Sequence, residues 1–202
     1  MRSKLKIFNV VMTVFLGLII CAFGISNESL FAQTLKVGQV FRLDGVDLAG
    51  NKFVEIWEIS GKAQLHTQSH ETYLVTEVSG DLDHGIFLGR WSKEGDLFFY
   101  SGFGNESLVF ANGEVGTYWE YDEDGSRISA EIIATGLTVE VPAGIYYDCI
   151  LIEKHSINGP IPSLPWYEWV KPGLFIVQWL DFYVDENAPV WWQLTSIEKV
   201  KQ

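Results

Sequence analysis

Residues 126–156 read SRISAEIIATGLTVEVPAGIYYDCILIEKHS, and this stretch decides the fold class. On both sides of Pro142-Ala143-Gly144, apolar and β-branched residues tend to alternate with polar ones, as is typical of half-buried strands. Proline and glycine tolerate the backbone of a tight turn. The stretch therefore predicts a long antiparallel hairpin with strands at 126–141 and 145–156.

The chain after Gln33 repeats this pattern in shorter pieces. No segment keeps apolar residues at helical spacing for more than two turns, whereas β-branched and aromatic runs recur between clusters of Gly, Asn and Asp. So many sequential strands have to curl, close or pack face to face to hide their edges. We predict an all-β domain, a curved antiparallel sheet that forms a half-barrel or a sandwich. The expected strands are 35–43, 52–60, 72–79, 85–92, 96–101, 107–111, 116–123, 126–141, 145–156, 166–171, 174–184 and 190–200.

The first residues have the layout of an export signal. Three basic residues precede an apolar run of 19 residues from Ile7 to Ile25, and a polar segment follows as far as Gln33. This N-terminal signal helix predicts an exported protein in the periplasm, in the outer envelope or in the medium.

The fate of this signal stays open. Its apolar run is longer than an ordinary signal core and approaches a spanning length. Cleavage after Gly24 or Ala32, an uncleaved anchor over 7–25 and lipidation at Cys21 are all compatible with the sequence. We divide the chain into a signal peptide or anchor at 1–32 and a single β domain at 33–202.

The composition of the β domain limits its partners and leaves it one cysteine. Without residues 1–32 there remain 11 basic and 25 acidic residues, a formal net charge of −14. Nucleic acid is excluded as a partner because phosphate binding needs a basic face, and a membrane is expected only through 7–25. Cys149 is the one cysteine beyond the signal, and its face of the strand, shared with Tyr147 and Leu151, predicts a buried and inert thiol.

Five pieces of the chain carry a family resemblance: Leu35–Gly38, Gly95–Tyr100, Val115–Trp119, Val141–Tyr146 and Lys171–Val177. In order along the sequence they resemble a group of uncharacterised exported bacterial β-proteins with Val-Pro-Ala-Gly and Pro-Gly-Leu hairpins. Through remoter kinship the resemblance implies the curved half-barrel of periplasmic lipoprotein carriers, a fold-level analogy that says little about function. The chain departs from the group at Phe175, where a second glycine is usual.

One acidic segment approaches the spacing of a calcium loop. Between Glu120 and Glu131 carboxylates stand at alternate positions, with a distal glutamate. However, Arg127 stands where such loops have an apolar residue, and the flanks are predicted strands. We expect a plain acidic hairpin turn here.

No other constellation points to catalysis. His66 and His70 would lie about 13 Å apart on an extended strand, too far to share one zinc ion. We expect these two and His84 to be solvated loop side chains. A Gly-x-Ser-x-Gly elbow is absent from the sequence. The sequence therefore predicts no catalytic residue, no metal site and no cofactor.

The aromatic residues near the C-terminus are the candidate ligand-binding residues. Because Trp191 and Trp192 are adjacent on a predicted strand, they must point to opposite faces. An exposed ring there can stack on a sugar or on an acyl chain. The candidate site residues are Trp166, Trp169, Trp179 and Trp192.

Three functions follow as hypotheses. The first is a non-enzymatic binding module that holds an apolar or amphipathic ligand, a lipid or a glycan, in the concavity of the sheet. The second is a structural or protein-interaction domain of the envelope. The third, a glycan hydrolase, requires two carboxylates facing each other across a groove beside Trp169 or Trp179. Uncovered rings inside the sheet favour the first hypothesis, and filled packing favours the second.

Overall fold

The structure is a computed structural model, and it describes residues 35–64, 72–81, 85–100, 106–123, 125–158, 164–181 and 189–199. The predicted signal helix and the three predicted loop histidines, His66, His70 and His84, lie outside these residues. In the described part, no helix has the length and hydropathy needed to cross a membrane. The strands are β1 Gln39–Asp47, β2 Lys52–Gln64, β3 Thr72–Gly80, β4 Gly85–Trp91, β5 Leu97–Tyr100, β6 Glu106–Phe110, β7 Tyr118–Glu123, β8 Ser126–Val141, β9 Gly144–Ser156, β10 Trp166–Lys171, β11 Phe175–Asp181 and β12 Val190–Lys199.

All twelve strands belong to one sheet in the order β6-β5-β4-β3-β2-β1-β12-β11-β10-β9-β8-β7. Every neighbouring pair is antiparallel, and β1 pairs with β12 to join two six-stranded meanders. The two edges, β6 and β7, are consecutive in the sequence, so the sheet is nearly closed and barrel-like. The prediction of an all-β, curved antiparallel sheet is confirmed.

Strand boundaries differ from the predicted ones where glycine forms a turn. Gly38 has a φ of 84°, and the amide of Gln39 donates to the carbonyl oxygen of Lys36 at 3.0 Å, so β1 begins at Gln39 rather than at residue 35. Gly116, with a φ of 89°, likewise delays β7 to Tyr118. Both turns need a left-handed backbone, which glycine adopts at little cost.

The seam between β6 and β7 is closed by side chains. No ladder joins these two strands in the residues that the structure describes. Instead, the Ser107 hydroxyl donates to the main-chain oxygen of Asp122 at 2.9 Å, and Phe110 belongs to the same buried cluster as Trp119 and Tyr121. Edge strands left open invite intermolecular pairing, and this apolar contact protects both edges.

Two clusters of buried residues fill the interior. The first cluster joins β1, β2, β11 and β12 to the turn-side half of the β8–β9 hairpin. The second cluster contains residues from all the strands from β5 through β10 and so spans the seam. The first consists of Phe41, Leu43, Ile59, Val139, Val141, Cys149, Leu174, Phe175, Val177, Val190, Trp192 and Leu194. The second consists of Leu97, Val109, Phe110, Ala111, Trp119, Tyr121, Ile128, Ala130, Ile132, Ile150, Ile152 and Val170.

The predicted β8–β9 hairpin forms, but its pairing is irregular in the middle. The pairing of β8 with β9 shifts at three places between Ile132 and Val139, and Gly136 and Asp148 have positive φ values of 67° and 55°. Such bulges bend a strand sharply. The tip then reaches β12, where the amide of Ala143 donates to the carbonyl oxygen of Leu194 at 3.1 Å.

This bend corrects one prediction about the cysteine. Cys149 is fully buried, as expected, but Tyr147 is 61% exposed, so the two side chains do not share a face. The left-handed backbone of Asp148 between them breaks the alternation of sides. Burial raises the pKa of the Cys149 thiol to about 11, which keeps it protonated at neutral pH.

Candidate functional site

We call the end of the barrel that carries the β1–β2, β9–β10 and β11–β12 connections the upper end. There, three adjacent strands each direct a tryptophan to the inner face. The cross-strand pairs place Trp179 between Glu168 and Trp192, and Trp192 between Trp179 and Gly45. Trp166 lies on the same face as Glu168, two positions before it on β10. The inner wall of the upper end therefore carries Trp179 and Trp192 side by side, and Trp166 lies on the same face next to Glu168 along β10.

Trp192 is the fixed centre of this wall. Its side chain is fully buried and stacks on Trp179, with ring centroids 5.0 Å apart and planes at 21°. On its other side stands Gly45, where a Cβ would lie 2.8 Å from the ring. The ring of Phe53, on β2, also packs against Trp192, with ring centroids 6.2 Å apart. The buried indole N–H of Trp192 meets no acceptor among the described residues.

A buried ion pair lies beside these rings. The Lys154 ammonium contacts a carboxylate oxygen of Glu168 at 2.7 Å, and the two side chains are only 6% and 12% exposed. The indole of Trp166 donates to the other Glu168 oxygen at 3.2 Å. Lys154 also stands 5.5 Å from the ring centre of Tyr121. Both carboxylate oxygens of Glu168 are thus engaged from the inner wall.

Neighbouring side chains keep Lys154 protonated. Burial alone would lower the pKa of Lys154, but the carboxylates of Glu168 and Glu123, together with Tyr121, outweigh it and raise that pKa. Burial likewise raises the pKa of Tyr121. At neutral pH Lys154 is therefore a cation and Tyr121 a neutral phenol, so this part of the wall carries fixed charges inside an apolar barrel.

The structure separates Trp169 from the other candidate residues. Trp169 follows Glu168 on β10 and so points to the outer face, where its ring lies 5.4 Å from that of Trp191. Trp191 thus lies on the outer face while Trp192, the next residue, is buried inside. The prediction that these two rings point to opposite faces is confirmed. The predicted candidates are thus three inner residues and one outer residue.

Sequence reasoning did not identify Lys154 and Glu168. A signal was present, because Ile150, Ile152 and Lys154 alternate on one strand, as do Glu168 and Val170 on the next. Period-two alternation therefore places Lys154 and Glu168 at core positions of the two strands. A charged residue at a core position marks a candidate functional site.

The acidic segment from Glu120 to Glu131 forms a hairpin of β7 and β8. The guanidinium of Arg127 donates to Glu120 at 3.2 Å and to Asp122 at 3.1 Å. Hydrogen bonds from Tyr118 and Arg127 lower the pKa of Glu120. No cluster of three or more metal-ligating side chains occurs in the described ranges. Arg127 thus pairs with two carboxylates of the hairpin, Glu120 and Asp122.

At the opposite, lower end of the barrel, apolar and aromatic side chains pack against one another. A cavity of about 20 Å³ remains there, which is room for about one water molecule. Trp57 packs edge-on against Phe175 with centroids 4.5 Å apart. The cavity is lined by Leu35, Phe41, Trp57, Ile59, Thr76 and Phe175.

The fold has counterparts among solved structures. A Bacteroides fragilis protein described as exported and as having a YmcC-like fold is 15% identical, with a TM-score of 0.58 over 82% of this chain and 98% of its own. A Parabacteroides distasonis protein described as a lipoprotein is 16% identical, with a TM-score of 0.51 over 82% of this chain and 97% of its own. The Escherichia coli protein YmcC, described as a hypothetical lipoprotein, is 13% identical with a TM-score of 0.39 over 86% of this chain and 92% of its own.

The first two likenesses establish a shared fold, and at these identities they establish nothing further. No protein-family profile and no curated protein matches the chain. The descriptions of the first two neighbours agree with the resemblance to uncharacterised exported β-proteins, whereas kinship with lipoprotein carriers stays a prediction.

Proposed function

We propose that this protein is a non-enzymatic binding module of the bacterial envelope. It holds an amphipathic ligand, a lipid or a lipid-like glycan conjugate, at the upper end of the barrel. The observation that carries the proposal is the presence of Trp166, Trp179 and Trp192 on the inner wall beside the Lys154–Glu168 pair. An export layout at the N-terminus and the exported or lipoprotein descriptions of the structural neighbours support the location.

The rings supply the affinity in this proposal. Trp166 and Trp179 are only partly buried, so each keeps apolar surface that a ligand can cover. Covering about 100 Å² of such surface contributes about 2.5 kcal/mol. Because the lower end is packed, the ligand's apolar part lies along the upper wall rather than deep in the barrel. Its polar part then meets the buried charges.

The alternative function is a structural or protein-interaction domain. The packed lower end favours it, and so does the outer pair of Trp169 and Trp191, which would suit a protein contact. A glycan hydrolase is favoured less, because Glu168, the carboxylate paired with Trp179 in the sheet, is held by Lys154 and Trp166.

Native mass spectrometry of the protein purified from its own envelope tests the proposal. We expect a co-purifying amphiphile that is lost in Trp179→Ala and retained in Trp169→Ala, the matched variant on the outer face. Circular dichroism checks that both variants fold. Equal retention by both variants would contradict the assigned site. If the protein carries no ligand, and envelope lipids and glycans do not stabilise it against unfolding, the interaction domain is favoured.

A further inference from the structure

We infer that the Lys154–Glu168 pair forms the head-group subsite of the upper end, and that it selects ligands whose polar end is an uncharged acceptor, such as a carboxylic ester. Ligands that end in a free carboxylate or an amine bind more weakly. This inference rests on the proposed function, since it names the class of ligand for the same site.

A buried ion pair is weak evidence for a stabilising role. Apolar residues stand beside this one: Ile152 pairs with Glu168 across the strands, and Val170 follows on the same face. Replacing a buried ion pair by well-packed apolar residues is often neutral or stabilising. A Lys–Glu pair that is almost fully buried in such a wall is therefore better explained by recognition than by stability.

The charges around the pair disfavour an anionic ligand. The Lys154 ammonium interacts with two carboxylates, Glu168 at 2.7 Å and Glu123 nearby. These three side chains together carry more negative than positive charge. A ligand carboxylate beside Lys154 would also approach Glu168, and like charges in a poorly solvated site repel strongly.

The same wall disfavours an amine and favours an acceptor. An ammonium group would compete with Lys154 for Glu168 and would offer no acceptor. The Lys154 ammonium has three N–H donors, and Glu168 accepts from one of them. An ester carbonyl accepts a hydrogen bond and brings no charge.

Three probes with the same twelve-carbon chain test this selection: monolaurin, laurate and dodecylamine. Their dissociation constants for the purified protein are measured by calorimetry below the micelle concentration of each probe. We expect monolaurin to bind at least about tenfold more tightly than either charged probe. In Glu168→Gln, which removes one negative charge, the preference over laurate should fall to about threefold or less.

Two further variants separate recognition from folding. Asp44→Asn removes the same charge from the outer face and should leave the preference unchanged. The paired replacement of Lys154 by Met and Glu168 by Leu keeps the wall packed and should abolish the preference while the protein stays folded.

The outcomes distinguish the two levels of the proposal. If none of the probes binds, the proposed function fails and the inference fails with it. If all three bind equally, or laurate binds best, the site stands and the head-group assignment is overturned. A preference that survives the paired replacement also overturns the assignment.

Discussion

Replacing Gly45 by alanine should strain the inner wall of the upper end. The added Cβ would lie 2.8 Å from two ring carbons of Trp192 and 2.9 Å from a third. Carbon atoms in contact prefer about 3.5–4.0 Å, so the ring would have to move by roughly 0.7 Å or more. Trp179 stacks on this ring from the neighbouring strand, and Phe53 contacts it from β2. The ring therefore has little room to move.

The expected cost follows from this overpacking. Extra methyl groups in a packed core typically cost about 1–3 kcal/mol. For a chain of this size each kcal/mol lowers the melting temperature by about 2–4 °C. We expect Gly45→Ala to melt about 2–12 °C below the parent protein.

Gly61→Ala is the matched control. Gly61 lies on β2 without a left-handed backbone, and the nearest atom to an added Cβ is Val75 Cγ2 at 3.9 Å. Alanine there reduces the entropy of the unfolded chain at no steric cost, so stability should be unchanged or rise by up to about 1 kcal/mol. Urea denaturation followed by tryptophan fluorescence compares the two variants. Equal midpoints for both would refute the inward placement of Trp192 against Gly45.

Three further predictions concern other parts of the barrel. The guanidinium of Arg90 donates to Glu106 at 2.7 Å and, despite burial, holds the pKa of Glu106 below its ordinary 4.5. The parent protein should therefore be more stable than Glu106→Gln by its full margin above about pH 4.5, and this margin should vanish as the pH falls through the folded pKa. Denaturation at a series of pH values measures the margin. Cysteines at Ser107 and Asp122, which are 15 positions apart, should form a disulfide across the seam that raises the free energy of unfolding by about 3 kcal/mol; equal urea midpoints with and without reductant would contradict that contact. Native Cys149, with its pKa of about 11, should resist iodoacetamide at pH 8 and react after unfolding, as mass spectrometry of its peptide would report; rapid labelling of the folded protein would count against its burial.

The strands could be predicted because their evidence is local. The alternation over 126–156 and the turn at Pro142–Gly144 predict the β8–β9 hairpin correctly. The closure of the sheet could not be predicted in the same way. Pairing of β1 with β12 joins residues such as Gly45 and Trp192 that are far apart in the sequence, and no short pattern specifies that contact.

The candidate site could be predicted in part. Period-two alternation already implies that Trp166 and Trp169 point to opposite faces, but only the register with β9 and β11 shows which face is inside. Local irregularities of the strands could not be predicted from the sequence. The left-handed Asp148 separates Tyr147 from Cys149, and aspartate in a strand gives no sign of that conformation.

Photo-crosslinking tests the central claim most directly. A monolaurin carrying a diazirine on its acyl chain is bound to the purified protein and irradiated, and mass spectrometry locates the label. Our account predicts label on the inner wall, at Trp166 or Trp179, and its loss when unlabelled monolaurin competes. Competable label concentrated at Trp169 and Trp191 on the outer face, or no competable label at all, would contradict binding at the upper end of the barrel.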